Sequence, residues 1–135
     1  MDLSILYKPG RIREESFTVK GEHTAYHIGS GESRVLSTPS LITFMEGVAH
    51  RLLSEKLPED KLSVGIHVDV KHLAATLVGI EVRVKAELLE IEGRQARFQV
   101  TAWDEEEKIG QGFHRRAVVD LDRFQRGVAE KKKVT

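Results

Sequence analysis

The sequence predicts an α+β fold in which an antiparallel sheet wraps around one long central helix. Apolar residues recur at three- and four-residue steps between Leu41 and Leu53, the period changes to two from Val64 onward, and the later alternating runs are joined by short turns. Near the start, residues 12–20 (IREESFTVK) alternate loosely as a strand, and TAYHI after Gly21 and Glu22 reads as a second short one. A small-residue loop, GSGESRVLSTP, leads into the helix. There Thr38 is expected to cap free amides, and Pro39 suits the first helical position. Leu41, Phe44, Met45, Val48, Ala49, Leu52 and Leu53 form one wide apolar stripe, and KLPEDK stops the helix near Leu57.

Beyond the helix, Val64, Ile66, Val68 and Val70 share one strand face, and His72 continues their phase. Gly65, His67, Asp69 and Lys71 take the other face. Ile80, Val82, Val84, Ala86 and Leu88 alternate in the next strand, and Glu92-Gly93 marks a turn. Ala96, Phe98, Val100 and Ala102 form another, and DEEEK turns the chain again. The last strand is IGQGFHRRAVVDLD, where Gly110 and Gly112 indicate a bulge or a close backbone approach. Residues 1–124 are expected to form a single domain. Residues 125–135 read as a polar, basic tail without a core pattern.

Composition narrows the function classes. The 135 residues suffice for one ordinary core. With no cysteine, thiolate catalysis, disulfides and cysteine-bearing metal sites are excluded. Lys plus Arg equals Asp plus Glu at 21 each, which removes the broad positive field of a general nucleic-acid binder. The first residues have no basic start or long apolar segment, and no run approaches the roughly 20 apolar residues of a membrane span. The expectation is a cytoplasmic protein with neither a nucleic-acid nor a membrane partner.

Three polar residues stand out by position. Glu46 lies beside Ile42, Ala49 and Leu53 at the margin of the apolar stripe, where a carboxylate must reach solvent, find a partner or serve chemistry. Thr38 stands at the helix start, and His72 ends an apolar strand face. Taken singly, each has an ordinary structural reading as a cap, a solvated charge or a satisfied histidine. GSGES lacks the third glycine of a dinucleotide fingerprint and the Lys-Ser/Thr of a phosphate loop. His67 and His72 fall on opposite strand faces, so no metal site is expected. In HRR at 114–116 the arginines suit either phosphate recognition or a solvated face with ion pairs, and EKKK at 130–133 reads as a solubilising segment.

The stretches VLSTPSLITFMEGVAH and VGIHVDVKHLAATLVGIEVRVKAELLEIEGRQARFQVTAWDEEEKIGQGFHRRAVVDLDRF resemble hotdog-fold thioesterases related to fluoroacetyl-CoA thioesterase, over roughly residues 35–124. The resemblance implies hydrolysis of a small acyl-CoA, with CoA as part of the substrate and no cofactor. It implies a catalytic set of Thr38, Glu46 and His72, and substrate contacts at Gly65 and Arg116. It also implies a homodimer joined edge to edge, with clefts at the interface. Eight helical residues advance about 12 Å, so Thr38 and Glu46 of one chain cannot share a hydrogen bond; a compact site needs a water-filled gap or a second protomer. Fluoroacetyl-specific members carry a bulky Phe in the lid before the central helix, where this chain has Glu32, which implies a broader or different short acyl group. His72 can serve as base and then acid, and amides around Thr38 to Leu41 can serve the carbonyl oxygen. Glu46 can orient the base, activate water or attack; Thr38 can attack or position water. A non-catalytic acyl-CoA sensor or carrier on the same fold is the alternative, and hydration of an enoyl thioester is a third reading.

Overall fold

The computed structural model describes residues 1–134, and its sheet has the strand order β1-β3-β4-β5-β2, antiparallel throughout. The strands are β1 (Ile12–Thr18), β2 (Lys61–His72), β3 (Glu81–Glu92), β4 (Gln95–Trp103) and β5 (Lys108–Asp120). The helices are the short α1 (Ala25–Ile28), the central α2 (Thr38–Ser54) and α3 (Leu121–Val134). Every residue of the expected stripe on α2, from Leu41 to Leu53, is buried. These side chains meet the inward faces of the long strands, among them Val82, Val84, Ala86, Leu88, Ala96, Phe98, Val100, Ala102 and Val118. The sheet therefore wraps α2, as the alternating runs predict.

Small residues let β5 come close. A Cβ on Gly110 would lie 2.8 Å from Leu41 Cδ2 and 3.2 Å from Met45 Cε, under the first turns of α2. A Cβ on Gly112 would lie 2.0 Å from the Asp69 carbonyl oxygen and 2.6 Å from Val70 Cα. Backbone, not flexible side chain, fills that space. The close approach expected from these glycines is thus present, and it sets the spacing of β2 and β5.

Four local readings change. The segment read as a second short strand is helical at Ala25–Ile28, capped by Thr24 Oγ1, which accepts from His27 N. Ser37, not Thr38, caps α2: its hydroxyl accepts from Ser40 N at 3.1 Å, and Thr38 and Pro39 open the helix. The helix ends at Ser54, earlier than Leu57. Tyr7 explains the stop, because its hydroxyl donates to Leu53 O and accepts from Lys56 N at 2.8 Å. The C-terminal residues continue from β5 as α3, whose described side chains are mostly exposed, as a segment without a core pattern requires.

The fifth difference matters most. Pairing of β2 with β5 runs Gly65↔Arg116 and then His67↔Arg115, so Ile66 is an extra residue in a β-bulge. Before it, Ser63 and Gly65 face α2; after it, Val68, Val70 and His72 do. The single alternating phase expected for Val64 to His72 is therefore broken. Ile66 is left 47% exposed, and Gly65 shares the inward face with His72.

Gly112→Ala tests the close approach of β2 and β5. The added methyl must displace backbone, and we expect a loss of about 1–3 kcal/mol, read as a lower urea midpoint with unchanged slope. An unaltered midpoint would show that the two strands are not held that tightly.

Candidate active site

Thr38 and His72 meet. The start of α2 and the end of β2 converge, and Thr38 Oγ1 lies 2.8 Å from His72 Nδ1. Handing the capping role to Ser37 leaves the Thr38 hydroxyl free for this bond. His72 Nε2 is shielded from solvent and has no hydrogen-bond partner among the described residues. Burial holds the imidazole below the ordinary histidine value of 6.5, against the opposing pull of Ala74. The ring is thus neutral near pH 7. With the ring proton on Nε2, the Nδ1 lone pair accepts a hydrogen bond from the threonine hydroxyl.

The pair opens into a cleft of about 430 Å³ lined by Ala25, Ser30, Val35, Leu36, Ala74 and Ala75 among others. Most of these side chains are small. Leu36 N donates to Thr76 O, and Ser37 N donates to His23 O, so the lid segment is tied to the β2–β3 connection and to the chain before α1. Around the helix start the expected set of free amides is smaller than the sequence implies. Pro39 has no N–H, Ser40 N is capped by Ser37, and Leu41 N bonds to Ser37 O. Of that turn, Thr38 N–H alone has no protein partner among the described residues.

Glu46 belongs to a second cluster, two helical turns along α2. A Cβ on Gly65 would lie 2.8 Å from Glu46 Oε2, so only glycine lets the carboxylate rest against β2. Arg116 Nη1 stands 3.8 Å from Glu46 Oε2. Arg116 is 6% exposed, and it donates from Nε to Ser63 Oγ at 2.9 Å and from Nη2 to Ser63 O at 3.0 Å. The arginine considered for phosphate recognition therefore points inward, and Arg115 takes the outer face. Burial lowers the Arg116 value, Glu46 opposes that, and the guanidinium remains charged. His114, which the sequence reading passes over, lies inside the same cluster with 1% exposure. Its signal was available: once Arg116 faces inward, the strand period places residue 114 beside it.

Thus one chain brings Thr38 to His72, and Glu46 to Gly65 and Arg116, but holds the two groups apart. Glu46 retains 41% side-chain exposure, which answers why an oily helix carries it: the carboxylate looks out of the stripe with one cation behind it. Among the described residues, no three histidine or acidic side chains gather to hold a metal ion. No helix is long and apolar enough to cross a membrane.

Both His72 and His114 have lowered values, each first through burial. Between 6.5 and their folded-state values the unfolded chain binds more protons than the folded one. Their contribution is therefore whole above about pH 6.5 and declines as the pH falls below it. We expect the urea midpoint to drop between pH 7.5 and pH 5.5; a flat midpoint would show that neither ring is kept neutral by the fold.

Comparison with known proteins gives a consistent picture. The family model described as "Fluoroacetyl-CoA-specific thioesterase" matches residues 19–122. A fluoroacetyl-CoA thioesterase from Streptantibioticus cattleyicolor is 37% identical over 97 residues, covering 72% of this chain and 70% of that protein. The crystal structure of a phenylalanine-to-alanine variant of a fluoroacetyl-CoA-specific thioesterase, in complex with fluoroacetate and CoA, superposes with a TM-score of 0.84 at 31% identity. It covers 87% of this chain and 99% of that one. A hot-dog-like protein from Thermanaerovibrio acidaminovorans superposes at 0.90 with 26% identity, covering 97% of each chain.

Proposed function

The chain belongs to the fluoroacetyl-CoA-specific thioesterase family, thioester hydrolases on the hotdog fold, and on that premise we propose that it hydrolyses a short acyl-CoA to the free acid and CoA. The Thr38–His72 hydrogen bond is the observation that carries this reading. Neutral His72 takes the proton as an oxygen nucleophile attacks the acyl carbon, and returns it to the departing thiolate of CoA. Thr38 supplies that oxygen or holds the water that does, and Thr38 N–H donates to the carbonyl oxygen as it gains charge. Acid-quenched enzyme carrying an acyl group on Thr38 would identify the hydroxyl as nucleophile; its absence with turnover intact would identify water.

Glu46 completes the site from a second protomer. The separation along α2 favours this over a water-filled gap, since within one chain the carboxylate stands about 12 Å along the axis from Thr38. The edge strand β2 supports it: its outer edge is unpaired in the sheet, and Ile66, Val68, Leu73, Leu77 and Val78 leave apolar surface exposed along it and the following loop. A long apolar edge invites pairing with a second copy. In such a two-fold dimer each cleft joins Thr38 and His72 of one chain to Glu46, Gly65 and Arg116 of the other. Gly65 and Arg116 then serve the substrate by shaping and holding the carboxylate's surroundings.

Free-thiol release from short acyl-CoAs tests the assignment. Thr38→Ala, Glu46→Gln and His72→Ala are each expected to lower kcat/KM by a hundredfold or more with the fold intact, about 2.7 kcal/mol of transition-state stabilisation. Binding of CoA without release of thiol from any substrate would favour the sensor or carrier reading instead. The small-residue lid, with Glu32 and no aromatic gate, leads us to expect less than about tenfold preference for fluoroacetyl over acetyl, together with activity that declines as the acyl chain lengthens.

Mixing inactive variants tests the shared cleft. Thr38→Ala combined with Glu46→Gln should regain up to about one quarter of wild-type activity, because half of the dimers are mixed and each of those has one intact cleft. Thr38→Ala combined with His72→Ala should regain none. Failure of the first mixture to recover after verified subunit exchange would place the whole site within one chain.

A further inference from the structure

Arginine has donors only, so the 3.2 Å contact between Arg116 Nη1 and His114 Nε2 requires that Nε2 accept. The ring proton then sits on Nδ1, 2.8 Å from His67 O, where it donates. One tautomer satisfies both contacts, and a doubly protonated ring would set a cation against the buried guanidinium. His67 is the first paired residue after the bulge at Ile66, and His114 Cε1 would lie 3.2 Å from a Cβ on Gly65. His114 thus touches the bulged strand, Gly65 and Arg116 together.

Ser63 holds Arg116 at Nε and Nη2, two points along one edge of a planar group. Two points leave the plane free to hinge. The third point is Nη1, the nitrogen that faces both His114 and Glu46. We propose that His114 is a positioning residue: its Nδ1–H clasps the bulge through His67 O, and its Nε2 lone pair fixes the Arg116 plane so that Nη1 is presented to Glu46. The inference rests on the reading that Glu46 serves thioester hydrolysis, and it acts through Arg116 without touching substrate.

Two replacements separate the contacts. His114→Asn keeps an amide donor near the Nδ1 position and removes the acceptor; His114→Gln restores an acceptor near the Nε2 position. For His114→Asn we expect kcat about tenfold lower with KM within about twofold; wild type should show separate Nη proton signals for Arg116 by NMR, and in this variant they should coalesce. His114→Gln should recover most of both. Equal losses in the two variants, or Arg116 signals unchanged in His114→Asn, would overturn the proposal. A measurement on wild type needs neither variant to fold: two-bond proton–nitrogen correlations should show a neutral His114 with its proton on Nδ1 near pH 7, and an Nε2-protonated or doubly protonated ring overturns the inference. Absence of thiol release by wild type would refute the hydrolase reading alone, since the tautomer and the guanidinium signals still decide the role of His114.

Discussion

The extra residue that β2 carries between Gly65 and His67 is the constraint from which the rest of the site follows. Gly65 and His72 are seven positions apart in the sequence, and in a regular strand an odd offset places two side chains on opposite faces. Because Ile66 is set out of the ladder, both face α2. Gly65 can then leave room for Glu46 in the middle of the helix, while His72 reaches Thr38 at its start. Without the bulge, a strand that served one of these groups would turn the other to the outer face. The bulge has its own supports: Gly112 lets β5 approach Asp69 and Val70 on one side of it, and His114 bonds to His67 O at its edge.

Burying Arg116 is the energetic risk in this arrangement. A charged group out of water costs several kcal/mol unless its donors are satisfied. Ser63 and His114 supply three acceptors, all of which are neutral. The one carboxylate, Glu46, stands at 3.8 Å, too far for a tight bidentate pair. The counter-charge is therefore near enough to steady the cation and loose enough to leave its own side chain 41% exposed. Neutral acceptors do the anchoring, and the acid remains available.

Much of the fold is legible because its signals are periodic and repeated. The stripe on α2 is long enough that one ambiguous residue does not alter it, and β4 and β3 as far as Leu88 keep an alternation that the structure reproduces. Thr38 and His72 are each legible by position, at the start of α2 and the end of β2, while their grouping is implied by the family resemblance. What the sequence hides turns on single residues. Ile66 continues an apolar alternation while standing outside the ladder; the glycine before it was the available cue, because glycine inside a strand often marks a bulge. Ser37 and Thr38 are both good caps, and local preference does not choose between them. The choice is tertiary: His72 claims the threonine hydroxyl, and the serine takes the cap. His114 was masked by the charged residues that follow it, since HRR looks like an exposed run until strand pairing turns alternate members inward.

The separation of the two groups along α2 bears on why a carboxylate belongs in this helix at all. A pocket that merely held an acyl chain would gain from an apolar residue at position 46, because in the proposed shared cleft a carboxylate loses hydration whenever the cleft fills. The surrounding residues do the opposite of relieving that cost. Gly65 omits a side chain so that the acid can approach β2, Arg116 is buried behind it, and Ser63 and His114 are committed to keeping Arg116 there. Four residues on two strands are arranged around one half-exposed acid that the core does not need. The Thr38–His72 pair follows the same logic at the start of the helix, where a threonine suited to capping leaves that role to Ser37 and an imidazole is held neutral. Both groups keep a polar function ready at a structural cost, and charge kept in this way fits the proposed hydrolysis, a reaction in which charge develops and moves.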